Sequence, residues 1–84
     1  MASAQKVMKN ARQMAKIYEE GDHLVVEFNE HLSPDDINKR LRIVRAIADA
    51  DCIIKGEPRS IFFYNPGGKQ VAKADRVYGV RLID

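Results

Sequence analysis

Residues 60–72, SIFFYNPGGKQVA, predict a β-hairpin. The first part, 60–64, is rich in β-branched and aromatic residues, which favour strands. In residues 65–68 a proline fixes one φ angle, and the glycines supply the positive φ that a tight turn requires. Residues 69–72 then return as the partner strand.

Two helices are predicted before this hairpin. In residues 2–19 apolar side chains recur at spacings of three and four, the period of an amphipathic helix, and Gly21 follows as its stop. The second helix begins with Ser33 as its N-cap and Pro34 at its first position, where a side-chain oxygen satisfies backbone N–H groups. Its apolar stripe fades at residues 49–51.

Two further strands complete the predicted fold. Residues 23–28 alternate between two faces, and residues 77–83 form the last strand. Residues 52–54 fit either a short strand or the frayed end of the second helix. We therefore expect one α+β domain over residues 1–84, in the order α-β-α-β-β-β, with two helices packed on one face of a mainly antiparallel four-stranded sheet.

The predicted strands carry apolar side chains on both faces; Phe62 and Phe63, for example, point in opposite directions. Two helices cover only one face, so the other needs a homodimer mate, a partner or a more tightly wound fold. Phe62, Tyr64 and Tyr78 are therefore candidates for a protein interface. They would also stack single-stranded bases if they share an uncovered face with basic side chains.

Composition narrows the class of protein. The 84 residues are 45% hydrophobic and 31% charged, which is ordinary globular usage. No stretch approaches the roughly 20 apolar residues that span a bilayer, and lysine and arginine interrupt the N-terminal region where a secretion signal would be apolar. The single cysteine, Cys52, favours a reducing compartment. These features predict a cytoplasmic protein that does not bind membranes.

The net charge of +2 conceals blocks of like charge. Residues 1–18 carry four basic groups and no acid, 19–36 carry seven acids and no lysine or arginine, and 37–48 return to four basic groups. Rows of basic residues on two helix faces and a hairpin suit a phosphate backbone or a partner surface. The candidate binding residues are Lys6, Lys9, Arg12 and Lys16 in the first helix, Lys39, Arg42 and Arg45 in the second, and Lys69, Lys73 and Arg76 near the hairpin.

Catalysis and metal binding find little support in the sequence. The two histidines lie eight residues apart and the cysteine stands alone, so no paired metal-ligand spacing exists. Helix capping explains the carboxylates at 35–36, and a loop at the helix end explains those at 49–51. Residues 67–69 lack the upstream glycine and the following Ser or Thr of a P-loop. We expect no enzyme, no cofactor and no metal.

These features predict a small regulator or inhibitor that acts by binding nucleic acid or a nucleic-acid-handling protein complex, through basic helix faces and a basic hairpin. The alternative is a protein–protein interaction adaptor, or a homodimeric structural module, that uses the apolar sheet face. The salt dependence of binding distinguishes these two functions, because affinity for phosphates falls steeply as the salt concentration rises.

Overall fold

The computed structural model describes residues 3–31, 36–75 and 79–83. Its elements, in chain order, are α1 (Ala4–Met14), β1 (Ala15–Glu20), β2 (His23–Phe28), α2 (Ile37–Lys55), β3 (Ile61–Tyr64), β4 (Gln70–Asp75) and β5 (Gly79–Leu82). The strands form one sheet in the order β1-β2-β3-β4-β5. All neighbours are antiparallel except β2 and β3, which are parallel because α2 provides the crossover between them. The α+β class and the two helices are confirmed, but the described sheet is mixed and has five strands rather than four.

The additional strand is β1, which the sequence had predicted as the second half of the first helix. That prediction is wrong, because the helix ends at Met14 and Ala15 is already extended, with φ −153° and ψ 152°. Asn29, just after β2, donates its backbone N–H to the Met14 carbonyl at 2.8 Å and its side-chain amide to the Gln13 carbonyl at 3.3 Å. A residue distant in sequence therefore satisfies two carbonyls that a helix end leaves without partners.

Gly21 closes a hairpin and not a helix. The β1–β2 ladder ends at the pair Glu20–His23, which leaves Gly21 and Asp22 as a two-residue turn. Gly21 has φ 62°, and a positive φ at the first central position is what a type II′ turn requires. The strand predicted at 23–28 is confirmed with the same bounds.

The second helix begins later than predicted, at Ile37. Asp36 is its N-cap, and its Oδ1 accepts a hydrogen bond from the Lys39 backbone N–H at 2.9 Å. Ser33 and Pro34, predicted as the cap and first helical position, lie outside the described residues. A carboxylate therefore replaces the predicted hydroxyl at the start of α2, where it also complements the positive end of the helix dipole.

The same helix also extends further than its apolar stripe indicated. It ends at Lys55, and Gly56 caps it in the left-handed conformation, with its N–H donating to the Cys52 carbonyl at 2.9 Å. Residues 52–54 are thus helical. Residues 49–51 lie within the helix and not in a loop at its end, so the explanation given for their carboxylates is wrong.

The predicted hairpin is confirmed, although its second strand covers Gln70–Asp75 rather than residues 69–72. The Asn65 N–H donates to the Lys69 carbonyl at 2.8 Å, and the Gly68 N–H donates to the Asn65 carbonyl at 3.1 Å, closing the turn between β3 and β4. The last strand, predicted over residues 77–83, is described over Gly79–Leu82; residues 76–78 lie outside the described part of the chain.

The core lies between the two helices and one face of the sheet. One cross-strand row on that face runs through all five strands and consists of Ile17, Val26, Phe63, Ala72 and Leu82. Val26 and Phe63, in the central strands, and Val44, in α2, are fully shielded from solvent. Among the described residues, neither helix is long and apolar enough to cross a membrane.

A partly buried ion network joins α2 to the sheet beside the core. Arg59 donates to both carboxylate oxygens of Asp51, from Nε at 2.8 Å and from Nη2 at 2.7 Å. A third nitrogen, Nη1, lies 3.3 Å from Oε1 of Glu19 in β1. The Asp51 hydrogen bonds are the main cause of the raised pKa of Arg59, which stays protonated. Asp51 is thus a structural residue of the fold.

Candidate functional site

The sheet face opposite the helices carries aromatic and basic side chains, and we call it the open face. Two adjacent cross-strand rows define it, and their members are Tyr18, Val25, Phe62, Lys73 and Arg81 in one row and Lys16, Glu27, Tyr64 and Gln70 in the other. Because paired residues on neighbouring strands point to the same side, each row is a line of side chains crossing the sheet. The pattern brings rings from β1 and β3 together with cations from β1, β4 and β5.

Cations and rings are in contact on this face. The Lys73 Nζ lies 5.6 Å from the ring centroid of Phe62, and the Lys16 Nζ lies 5.3 Å from that of Tyr18. The ring of His23 meets Phe62 edge-on, at 4.8 Å and an interplanar angle of 85°. A lysine within about 6 Å of a ring centroid is attracted by the ring quadrupole, so the two lysines are held close to flat π surfaces.

Tyr18 and Glu27, on neighbouring strands of the open face, are joined by a hydrogen bond. The Tyr18 hydroxyl donates to Glu27 Oε1 at 3.0 Å. This hydrogen bond is the main cause of the raised pKa of Tyr18, and the nearby negative charges of Glu27 and Glu20 add to it. The phenol proton is therefore retained, and the carboxylate is held in a defined position on the open face.

Two shallow depressions adjoin at Glu27. The first, which we call the tyrosine depression, has a volume of about 220 Å³ and is lined by Tyr18, Glu20, His23, Val25, Glu27 and Tyr64, together with Gly68. The second, which we call the turn depression, has a volume of about 340 Å³ and includes Lys16, Glu27 and the turn glycines Gly67 and Gly68. Both are lined by Glu27 and Gly68, so the two depressions adjoin at these residues, beside the turn between β3 and β4.

The structure divides the predicted basic residues between two sides of the molecule. Most of the helical ones are exposed on the helix layer, on the side away from the open face: Lys6, Lys9, Arg12, Lys39, Arg42 and Arg45. Arg12 also donates from Nη1 to the Ile17 carbonyl at 3.3 Å. Lys16 is not part of the helical row, because it lies in β1 on the open face. The predicted four-residue row on the first helix is therefore wrong.

Other predicted residues meet on the open face or near it. Phe62 and Tyr64 lie there half-buried, and Lys73 lies there beside Phe62. Lys69 is exposed in the turn between β3 and β4. The remaining candidates, Arg76 and Tyr78, lie outside the described residues.

Tyr18, His23 and Glu27 were not among the candidate binding residues predicted from the sequence. Tyr18 fell within residues 2–19, which were predicted as the first helix. The available signal was the alternation in residues 15–20, AKIYEE, in which every second residue is basic, aromatic or acidic. Period-two alternation is typical of a half-buried strand.

Within the described residues, no three His, Cys, Asp or Glu side chains are grouped as a metal site would require. Comparisons with protein-family models, with curated proteins and with solved structures gave no match.

Proposed function

We propose that this protein binds single-stranded nucleic acid on the open face and acts by occupying it, as a small non-enzymatic regulator or inhibitor. The observation that carries the proposal is the juxtaposition of rings with lysines, at 5.3 Å for Lys16 and Tyr18 and 5.6 Å for Lys73 and Phe62. Proteins that bind single strands combine aromatic side chains, on which bases stack, with positive charge that follows the phosphates.

The positions of the charges support a strand that crosses the sheet. Lys16 lies on β1 at one edge, and Lys73 and Arg81 lie opposite each other on β4 and β5 near the other edge. With about 4.8 Å between neighbouring strands, the five strands span roughly 19 Å. Phosphates at both edges would leave room for about two or three bases over the rings between them, as on other sheet faces that bind RNA.

Single strands fit this surface better than a duplex does. Stacking on Phe62 or Tyr64 requires a base whose flat face is accessible, and in a duplex those faces are covered by neighbouring bases. The basic residues of the helix layer lie on the other side of the sheet and cannot contact the same short strand. We therefore assign binding to the open face, in place of the helix faces that the sequence had indicated.

The same face could instead contact a protein or a second copy of the chain, since Val25 and Phe62 are apolar. Binding measured by fluorescence anisotropy with labelled single-stranded RNA, single-stranded DNA and duplex DNA separates these functions. We expect single strands to bind more tightly than the duplex. The logarithm of the binding constant should fall with that of salt concentration with a slope of about −0.7 per phosphate contact.

Matched lysine variants locate the surface. Lys16→Gln and Lys73→Gln should each lower affinity and reduce the salt slope by about 0.7. Lys6→Gln and Lys9→Gln make the same charge change on the helix layer and should leave both quantities unchanged. Absence of oligonucleotide binding at low salt, with concentration-dependent dimerisation, would assign the face to protein contact. Equal effects of all four variants would contradict the open-face assignment.

A further inference from the structure

The side chains that line the tyrosine depression favour one nucleobase over the others. We infer, on the basis of the proposed function, that this depression holds one base of the bound strand and selects guanine through the carboxylate of Glu27.

The depression has the size and walls of a site for one planar ring system. Its volume of about 220 Å³ is below the range of about 300–1,000 Å³ that is typical of pockets for drug-sized ligands. Tyr18 on β1 and Tyr64 on β3 line it from the two strands that flank β2, and the buried side chain of Val25, on β2 between them, provides an apolar floor. An apolar floor between aromatic walls favours a flat, weakly hydrated ligand, and a nucleobase fits that description.

The depression has two carboxylates, Glu27 and Glu20, which only accept hydrogen bonds when ionised; the Tyr18 and Tyr64 hydroxyls and the His23 imidazole complete its polar lining. The Tyr18 hydroxyl donates to Glu27 Oε1 and so takes one of about four lone-pair sites on that carboxylate. Glu27 is thereby oriented and still able to accept two further N–H groups. A base that enters must therefore present donors to it.

Guanine alone among the common bases offers two adjacent donors on one edge, its ring N1–H and its exocyclic amino group. Adenine and cytosine place an amino donor next to a ring nitrogen acceptor, and uracil places its single ring N–H between two carbonyl acceptors. An acceptor that faces a carboxylate oxygen is repelled and leaves that oxygen without a donor from the base, which is costly. A bidentate contact with a base edge is worth about 1–3 kcal/mol of discrimination.

The turn depression provides space for the backbone attached to this base. It continues past Glu27 and is lined by Lys16, whose positive charge suits a phosphate. Gly67 and Gly68 have φ values of 95° and 90°, and a Cβ added at either would meet no atom within 4 Å. Backbone without side chains can be approached closely by a sugar–phosphate chain. Base and phosphate would then lie in two adjoining depressions.

The test uses uridine oligonucleotides that differ only at one central position, which is guanosine, inosine, adenosine, cytidine or uridine. Anisotropy at low salt should show guanosine bound at least about fivefold more tightly than adenosine, cytidine or uridine, the lower limit of the bidentate range. Inosine retains the ring N–H and lacks the amino group, so its affinity should lie between those of guanosine and adenosine.

Variants assign the preference to one carboxylate. Glu27→Gln keeps the shape and can still accept from Tyr18, and it should reduce the preference for guanosine to within about twofold, because an amide cannot accept two donors side by side. Tyr18→Phe, which removes the hydroxyl that orients Glu27, should reduce it in part while the ring remains. Glu19→Gln is the control. It also removes one carboxylate charge, but the Glu19 side chain lies on the helix side of the sheet near Arg59, so the preference for guanosine should remain.

The outcomes separate this inference from the proposed function. If the oligonucleotides bind with equal affinity, or if the guanosine preference persists in Glu27→Gln, the inference is wrong and single-strand binding stands. If no oligonucleotide binds, the proposed function fails and the inference fails with it. A preference that Glu27→Gln removes and Glu19→Gln retains supports both.

Discussion

Phe62 and Phe63 are consecutive in β3, and their side chains lie on opposite faces of the sheet. Phe63 is fully buried beneath the helices, where its ring stacks at 6.1 Å on Phe28. Phe62 lies half-buried on the open face between His23 and Lys73. One strand thus supplies a core residue and a candidate ligand-binding residue at adjacent positions. Substitutions at these two positions can therefore test stability and binding separately.

Truncating each phenylalanine to alanine should affect different properties. Phe63→Ala should lower the free energy of unfolding by about 3–5 kcal/mol, because it leaves a cavity in the core. Phe62→Ala should cost less stability and should weaken single-strand binding by about 1–3 kcal/mol, the usual contribution of one stacked base. Urea unfolding and oligonucleotide anisotropy measure the two effects. Equal losses of stability would mean that Phe62 belongs to the core.

The ion network gives a second prediction. Asp51→Asn should destabilise the protein by about 3–5 kcal/mol, because it leaves the largely buried Arg59 without its closest negative charge. Glu19→Gln removes the other carboxylate, whose side chain is 58% exposed, and should cost at most about 1 kcal/mol. The midpoints of urea unfolding measure the loss of stability in each variant, provided that the m-value is unchanged. Similar costs for the two variants would contradict the asymmetry of the network.

The pair formed by Tyr18 and Glu27 predicts a change in alkaline titration. The pKa of Tyr18 is raised above its ordinary value of 10.0, so the folded state favours the neutral phenol. The hydrogen bond therefore contributes stability that is fully present below pH 10.0 and is lost as pH rises through the folded-state pKa. Glu27→Gln should lower the pKa of Tyr18 towards 10.0, because the carboxylate charge is gone.

Ultraviolet titration of tyrosinate formation measures this shift. The chain has three tyrosines, so the contribution of Tyr18 is obtained by subtracting the titration of Tyr18→Phe. Glu19→Gln serves as the charge-matched control and should leave the Tyr18 titration in place. An unchanged titration in Glu27→Gln would show that the hydrogen bond between Tyr18 and Glu27 does not form in solution.

The cap of α2 gives a fourth prediction. Asp36→Ala removes the oxygen that accepts from the Lys39 N–H and should cost about 0.5–2 kcal/mol of stability. Asp36→Asn keeps an accepting oxygen and should cost less. Thermal unfolding of the three proteins would order them as wild type, Asp36→Asn and Asp36→Ala, and an Asn variant as unstable as the Ala variant would argue against capping by this side chain.

Several elements could be predicted from the sequence because their signals are local. The strand at 23–28 follows from alternation, and the turn at 65–68 from the φ preferences of proline and glycine. The opposite orientations of Phe62 and Phe63 follow from the two-residue period of a strand. These properties depend on neighbouring residues only, so no knowledge of the rest of the chain was needed.

The tertiary structure decided what local signals left ambiguous. Residues 15–20 fit a helical period and an alternating one, and pairing with β2 selects the strand because it buries Ala15 and Ile17 and brings Asn29 to the carbonyls at the end of α1. The candidate site depends on that choice, since Lys16 and Tyr18 reach the open face only from a strand. Local preference differs by tenths of a kcal/mol per residue between such alternatives, whereas burial of a side chain contributes about 1.5–3 kcal/mol, so contacts between distant segments prevail.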